Sequence, residues 1–158
     1  MRCSATIGTI LSVLLLASPL SAADPEIVGV IKTVNGNVSM IRDQQSGPAS
    51  IGAKVRINDT LQTGPDGSVG LILRDDAVLS LGPNSKVVLD QFLFSPAEGK
   101  LGFLFKILRG TVVYLSGVIT RLSPGSAKFE TPVATIGIRG TRFAVKVAED
   151  NPERRDNQ

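Results

Sequence analysis

Short runs of apolar residues follow one another along most of the chain and are separated by turn-forming residues. From residue 27 onward, almost no window keeps the spacing of an amphipathic helix over three turns. Three central runs, residues 69–73, 77–81 and 86–89, follow each other at a spacing of roughly eight to ten residues, which is typical of sandwiches, rolls and solenoids. The pattern therefore predicts an all-β, single-domain protein whose short strands form a β-roll, a solenoid-like arrangement or a sandwich.

Alternation within two of these runs predicts which side chains point to the core. Successive side chains on a strand point to opposite faces of the sheet, so apolar residues at every second position share one face. This places six side chains on the inner face: Val69, Leu71, Leu73, Ala77, Leu79 and Leu81. Phe92, Phe94, Phe103 and Phe105 are interpreted first as core residues and second as a strip that binds a peptide.

Residues 101–108 fit both a helical and a strand pattern. We favour a strand, because Gly102 and Gly110 lower helix propensity and the following residues, 111–115, are mostly β-branched or aromatic. Ser116 and Gly117 end this run, residues 123–126 form a turn, and residues 127–130, 134–138 and 141–147 are the last predicted strands.

Several turns are marked by their residue types. Asn35-Gly36 predicts a hairpin between residues 27–33 and 38–42, because both residues tolerate positive φ. Residues 43–50 are predicted to be a polar loop, after which residues 53–57 and 60–63 form strands. The tetrapeptide Gly64-Pro65-Asp66-Gly67 predicts a further turn.

The N-terminus has the pattern of a cleaved secretory signal. Met1 and Arg2 give a positive start, residues 7–20 are mostly apolar, and residues 21–23 are small, as a signal peptidase requires. An uncleaved anchor is the alternative, but this apolar run is shorter than the roughly 20 residues of a membrane-spanning helix. We therefore expect a signal peptide at 1–23, a β domain at 24–147, and a disordered polar tail at 148–158, with no membrane span after cleavage. The location is then periplasmic or secreted.

Composition narrows the possible functions. The 158 residues include no His and no Trp, and Cys3, the single cysteine, lies in the leader, so the exported product has no disulfide. Loss of Arg2 leaves 16 basic and 14 acidic residues in the mature chain, without a long Lys/Arg block that would follow a phosphate backbone. A nucleic-acid partner is therefore not expected.

Candidate catalytic and metal-binding residues do not form a pattern that chemistry requires. Asp75 and Asp76, even with Asp59 or Asp66, lack the alternating oxygen ligands of a Ca²⁺ loop, and a solvated turn is the preferred interpretation. Serine nucleophiles need a base, and the sequence has no His to complete a triad. We therefore predict no enzyme activity, no metal site and no cofactor.

A series of motifs from about Gly29 to Val147 resembles the FecR domain, an exported β-rich module. Each motif alone is weak, whereas the whole series in this order is specific. The series consists of Gly36-x-Val38, Asp59-Thr60-x-x-Thr63-Gly64-Pro65-Asp66-Gly67-Ser68, Leu79-x-Leu81-Gly82-Pro83-Asn84-Ser85, Arg109-Gly110-Thr111-Val112, Thr131-Pro132 and Arg139-Gly140-Thr141-x-Phe143.

The resemblance implies a sensing role with a protein partner. In the best-known family members, the domain lies in the periplasm, is held by one membrane helix, and senses an outer-membrane receptor, while a cytoplasmic segment controls a sigma factor. Only residues 1–6 precede the apolar run of the leader here, so we expect a free periplasmic domain without that transmembrane role. A second departure is Asp76, where the family usually has Gly, and we expect Asp76 to adopt the left-handed conformation that Asp tolerates.

The resemblance also points to the residues of a possible partner-binding site. Gly137 and Gly140 are expected to supply positive φ or a close backbone approach. Arg139 either caps Asp59 or a row of carbonyls, which is the preferred interpretation, or binds an acidic group of a partner. The full set of motif residues is Asp59, Thr60, Thr63, Gly67, Asn84, Ser85, Thr131, Pro132, Arg139, Gly140, Thr141 and Phe143.

Two functions follow from these expectations. The first is a non-enzymatic sensing or assembly module that contacts an envelope or outer-membrane protein. The alternative is a module that binds a glycan or the cell wall, which the periodic strands and the exposed Asn, Ser and Asp turns would suit.

Overall fold

The fold is almost entirely β-structure, as the sequence pattern predicts. A computed structural model describes residues 26–140 and 142–148. Besides a 3-10 turn at Pro96–Glu98, the elements in chain order are β1 (Ile27–Asn35), β2 (Val38–Arg42), β3 (Gln45–Pro48), β4 (Lys54–Arg56), β5 (Thr60–Thr63), β6 (Ser68–Leu73), β7 (Val78–Leu81), β8 (Lys86–Ser95), β9 (Lys100–Leu115), α1 (Val118–Leu122), β10 (Ala127–Glu130), β11 (Thr135–Gly137) and β12 (Arg142–Val147).

The strands form one curled, mostly antiparallel sheet, a half-barrel with two halves that share β9. Half A contains β4, β1, β6, β7, the C-terminal part of β9, and β12. Half B contains β3, β2, β5, β8, the N-terminal part of β9, β10 and β11. The strand β9 passes from one half to the other at Gly110, whose φ is +92°. Only glycine adopts this conformation without strain.

The core lies between the two halves and follows the predicted alternation. All six side chains that the pattern of residues 69–81 places inside are at most 2% exposed. Phe92, Phe103 and Phe105 are buried and Phe94 packs against the core, which confirms their interpretation as core residues. Phe103 lies against Tyr114 and Phe129 with ring centroids 5.4 Å apart in both pairs. Full burial of each such side chain contributes roughly 1.5–3 kcal/mol.

Residues 101–108 belong to β9, so the preference for a strand is confirmed. The break at Ser116 and Gly117 and the turn at 123–126 are also observed. Between them lies α1, a single helical turn that the sequence pattern did not indicate. Asp76 has φ 63°, so its predicted left-handed conformation is confirmed.

Two predictions about turns are wrong. Asn35-Gly36 does not close a hairpin, because β1 pairs with β4 and β6 in half A, whereas β2 pairs with β3 and β5 in half B. Gly36, at φ 61°, lets the chain cross between the halves, and a Cβ there would overlap the carbonyl of Asp66. Residues 43–50 are not a loop, since β3 forms a hairpin with β2 through Asp43 and Gln44, both at positive φ.

The predicted leader, 1–23, and all but the first residue of the predicted tail lie outside the described residues. Within the described part, no helix has the length and apolar character needed to span a membrane.

Candidate functional site

The predicted site residues separate into two groups. The first group lies in or beside β5, in the turn between β5 and β6, and in the turn between β7 and β8. Its members are Asp59, Thr60, Thr63, Gly67, Asn84 and Ser85. Thr131, Pro132, Arg139, Gly140 and Phe143 lie in the C-terminal third of the sequence, near β10, β11 and β12. Thr141 falls outside the described residues. The first group forms internal contacts of the fold, whereas two members of the second group, Thr131 and Pro132, line a groove.

Asp59 is 1% exposed and is held by Arg42 of β2. The guanidinium donates through Nη2 to Oδ2 at 2.6 Å and through Nε to Oδ1 at 2.8 Å. The backbone N–H of Arg56 donates to Oδ2 at 2.7 Å, and Arg42 Nη2 also donates to the carbonyl of Lys54 at 2.9 Å. This hydrogen-bonded pair with Asp59 raises the pKa of Arg42. The carboxylate thus ties β2 to the turn between β4 and β5.

Arg139 does not cap Asp59, so that expectation is wrong. Arg42 donates hydrogen bonds to the carboxylate of Asp59, whereas the side chain of Arg139 is exposed. Gly140 has φ 137°, which confirms its predicted positive φ. Gly137 lies within β11 without a positive φ, and a Cβ there would meet no atom within 4 Å, so neither predicted reason for this glycine holds.

Thr63 and Ser85 form a buried polar connection between β5, β8 and β9. Thr63 Oγ1 donates to the carbonyl of Gly82 at 2.7 Å and accepts from the N–H of Ser85 at 2.8 Å. Ser85 Oγ accepts from the N–H of Thr111 at 3.0 Å and lies 3.1 Å from the carbonyl of the same residue. Because buried polar atoms are costly unless they are paired, these hydroxyls are structural groups.

The other three members of the first group, Thr60, Gly67 and Asn84, also contribute to the turns or to strand pairing. Asn84 is exposed at φ 52° and donates its N–H to the carbonyl of Gly64 at 3.0 Å. At Gly67, a Cβ would overlap the carbonyl of Asn37. Thr60 pairs with Ile41 and Val88 across β5. These contacts give the motif residues a role in folding.

The sequence-based interpretation of Asp75 as part of a solvated turn is wrong, because Asp75 is buried in the core. Its side chain is 0% exposed and accepts from the N–H of Ala77 and, through Oδ2, from that of Ile119 in α1, both at 3.3 Å. Burial raises the pKa of Asp75, although these two hydrogen bonds oppose the shift. The carboxyl group holds the helical turn against the sheet, while Asp75 also accepts from the N–H of Val118 through its carbonyl, at 2.7 Å.

Beside Asp75, Tyr114 and Thr120 form a buried hydrogen bond between β9 and α1, with 2.9 Å between the two hydroxyl oxygens. Burial raises the pKa of Tyr114 as well. This corner contains two titratable groups, but both are enclosed by the core, so it is a structural site.

Two residues of the second group, Thr131 and Pro132, line an apolar groove of about 490 Å³, which we call the hairpin groove. It lies between the β10–β11 hairpin and β12, beside Leu108 of β9. The turn of the hairpin is fixed by Thr131, which donates its N–H to the carbonyl of Ala134 at 2.8 Å, while its Oγ1 accepts from the N–H of Ala134 at 3.1 Å. The lining residues are Leu108, Thr131, Pro132, Val133, Ala134, Ile136, Val145, Lys146, Val147 and Ala148.

The hairpin groove combines exposed apolar side chains with strand edges. Val133 is 91% exposed at the tip of the hairpin, and Leu108 is 42% exposed at the base. Within residues 26–140 and 142–148, β11 pairs only with β10, and β12 pairs only with β9. Each strand therefore keeps one edge available to another strand. Phe143 stacks on Phe129 at 5.5 Å and so anchors β12 to the core beside the groove.

Sequence reasoning identified Thr131 and Pro132 but missed Leu108, Val133 and Ile136. For Leu108 a signal was present: it follows Ile107, a core residue, so alternation places it on the outer face. Val133 follows a proline between two predicted strands, which indicates an exposed apolar residue in a turn.

The family comparison agrees with the motif series. The model of the FecR protein family matches residues 59–154, which is more than half of the chain and includes β5 to β12. No curated protein and no solved structure matches the chain. The family is related to signalling regulators and is not known for enzymatic activity. The order and spacing of the motifs and the family match lead to one conclusion: this chain belongs to the FecR family.

Proposed function

We propose that this protein is an exported, non-catalytic sensing module that binds an extended segment of an envelope or outer-membrane protein in its hairpin groove. The observation that carries this proposal is the groove itself. The exposed Val133 and Leu108 lie there between β11 and β12, each of which has one edge that no other described strand pairs with. An added strand would gain main-chain hydrogen bonds from an edge and would place alternate side chains in the apolar groove. Membership of a regulatory family supports a binding role over catalysis.

A protein partner is favoured over a glycan by the position of the aromatic rings. Sugars stack on exposed rings, whereas Phe94 and Phe143 are half-buried and the other rings are each at most 3% exposed, namely Phe92, Phe103, Phe105, Tyr114 and Phe129. The groove instead offers aliphatic side chains, which suit the apolar residues of a peptide.

Photo-crosslinking in intact cells tests the groove. A photoreactive amino acid replaces Val133, and a control chain carries it at Ile51, which is 67% exposed in the turn between β3 and β4. We expect a defined envelope protein to crosslink at 133 and not at 51. Identical products at the two positions, or none at 133, would contradict the proposal.

Once that partner is purified, its affinity is measured for Val133→Asp and Ile51→Asp. Both changes place one charge at an exposed site, so the melting temperature should change little in either variant. We expect at least a tenfold loss of affinity for Val133→Asp only, because a desolvated charge in an apolar groove is costly. Equal affinities would show that the partner binds elsewhere.

Export is tested separately. N-terminal sequencing of the protein from a periplasmic or secreted fraction should begin at Asp24. A chain recovered from the cytosol that still begins at Met1 would contradict the proposed location.

A further inference from the structure

The outer face of half A carries an apolar row that crosses four strands. In register from strand to strand lie Val30 of β1, Ile72 of β6, Val78 of β7 and Leu115 of β9. Ile72 and Leu115 are each 40% exposed, so the row is accessible. Outward positions of a solvated antiparallel sheet are normally polar. This row is therefore a surface that another body can cover.

Basic residues stand at both ends of the same row. Val30 pairs with Lys54 of β4, and Leu115 pairs with Arg142 of β12, so the register places an exposed cation beyond each end of the apolar stretch. We call these six residues the basic-ended row. Lys146 adds a third exposed cation on β12, four residues beyond Arg142 on the same side of the strand.

The neighbouring row on this face is made mostly of small residues, which do not project beyond the basic-ended row. In register lie Thr33, Gly70, Ser80, Val113 and Ala144. Another surface can therefore approach the side chains of the basic-ended row without obstruction from this side. Measured along the curled sheet, the two ends of the basic-ended row are five strand spacings apart, roughly 24 Å.

Within the part of the chain that the structure describes, no carboxylate forms an ion pair with these cations, in contrast to the other half. Glu26, beside the start of β1, already pairs with Arg74 at 3.3 Å, Asp59 is bonded to Arg42, and Asp75 is buried. The exposed carboxylates on this side are Asp43, beside Arg42, and Asp76, in the turn between β6 and β7. On half B, by contrast, Lys106 pairs with Asp90 at 3.1 Å and lies opposite Glu130. The outer face of half A thus combines an apolar centre with a basic border.

This charge pattern decides which body covers the row. A second copy of the chain is disfavoured. In a face-to-face dimer, a two-fold axis along the row would place Lys54 against Lys54 and Arg142 against Arg142. A two-fold axis along the strands would place Lys54 of one copy against Arg142 of the other. A small anion cannot reach both ends across roughly 24 Å. We propose that the basic-ended row lies on an anionic lipid bilayer, whose phosphate groups meet both ends while the apolar centre faces the boundary of the headgroups. Basic residues near such a surface each add attraction that falls off within a Debye length.

Vesicle sedimentation tests this role. The probes are vesicles of phosphatidylcholine alone and vesicles with about one third phosphatidylglycerol. At low salt we expect at least tenfold tighter binding to the anionic vesicles, and most of this difference should disappear at about 0.5 M salt. Every protein compared carries the same N-terminus, so differences between variants report on the folded domain.

The decisive comparison uses two double variants with the same change in net charge. Lys54→Glu with Arg142→Glu reverses the ends of the row, whereas Lys86→Glu with Lys128→Glu reverses two lysines of half B. We expect about a tenfold or larger loss of anionic-vesicle binding for the first pair and less than a threefold loss for the second. Leu115→Ser should weaken binding without changing its salt dependence.

Four outcomes would overturn the proposal. The first is equal loss in both double variants, which would mean that net charge alone acts. The second is binding to soluble polyglutamate as tight as to anionic vesicles, which would favour an acidic protein surface. The third is no binding to anionic vesicles at low salt by a folded protein. The fourth is sedimentation of the protein as a dimer through this face. Val133→Asp should bind vesicles normally, so failure here is distinguishable from failure of the groove.

Discussion

Ser85 fills the space in which a side chain on Gly110 would lie. A Cβ at Gly110 would overlap both Oγ and Cα of Ser85, and the glycine has φ +92°. This close approach lets Ser85 bond to the backbone of Thr111 at the point where β9 leaves one half of the sheet for the other. The passage of β9 from one half of the sheet to the other therefore depends on one residue without a side chain.

Gly110→Ala should destabilise the protein by at least about 2 kcal/mol, because the left-handed conformation is strained for alanine and the methyl group displaces a buried partner. Gly99→Ala is the matched control: its φ is +66°, but a Cβ there would meet no atom within 4 Å. The control should cost about 1 kcal/mol. Urea unfolding measures both, and similar costs would mean that Ser85 does not restrict this position.

Asp59→Ala should lower the free energy of unfolding by roughly 3 kcal/mol, because it leaves the Arg42 guanidinium and the Arg56 N–H without their acceptor. The control is Glu26→Ala, which removes the ion pair with Arg74, whose two side chains are 39–44% exposed. An exposed pair contributes at most about 1 kcal/mol. Chemical denaturation compares the two variants, and equal effects would show that burial does not strengthen the Arg42–Asp59 contact.

Local patterns in the sequence predicted the strands and their inner faces well. The alternation of residues 69–73 and 77–81 needs only the period of a strand, and burial confirms it at every predicted position. Asp76 was also predictable, because the conformation of a tight turn depends mainly on its own residues.

Contacts between distant segments could not be predicted in the same way. Asn35-Gly36 has the residues of a hairpin, but the backbone of Asp66 decides that the chain turns a corner there. Arg42 lies 17 residues from Asp59, and Ile119 lies 44 residues from Asp75. A motif therefore identified which polar residues matter, while only the packed sheet shows that Asp59, Thr63 and Ser85 stabilise it. The hairpin groove likewise arises where β9 bends, so its lining comes from segments that are separate in the sequence.

Asp75 should make stability depend on pH. Burial raises its pKa, so the folded protein binds a proton at pH values where the unfolded chain has lost it. The contribution of Asp75 to the free energy of unfolding therefore falls as pH rises. The fall begins near the pKa of an aspartate in the unfolded chain, about 3.9, and continues through the raised pKa of Asp75 in the folded protein. In Asp75→Asn, which cannot titrate, this decline should be absent.

The measurement is the free energy of unfolding at several pH values for both proteins. The absolute stability of Asp75→Asn should be lower, because the amide nitrogen is a donor and cannot accept a hydrogen bond, so either the Ala77 or the Ile119 N–H group loses its acceptor. The difference between the proteins is therefore read as a function of pH: the advantage of the native residue should shrink as pH rises. An advantage that grows with pH would mean that the folded pKa is lowered.

Gly140→Val should destabilise the domain by more than about 1 kcal/mol, although a Cβ at Gly140 would meet no atom within 4 Å. The reason is the backbone, since φ is 137° and a β-branched residue tolerates positive φ poorly. Gly137→Val is the matched control, because Gly137 is equally uncrowded but lies in β11 without a positive φ, where valine suits a strand. Thermal unfolding should show a lower melting temperature for Gly140→Val and an unchanged or higher one for Gly137→Val. If both variants have the melting temperature of the native protein, the backbone at Gly140 adapts to a side chain without cost. Strain at this residue would then not determine how the chain enters β12.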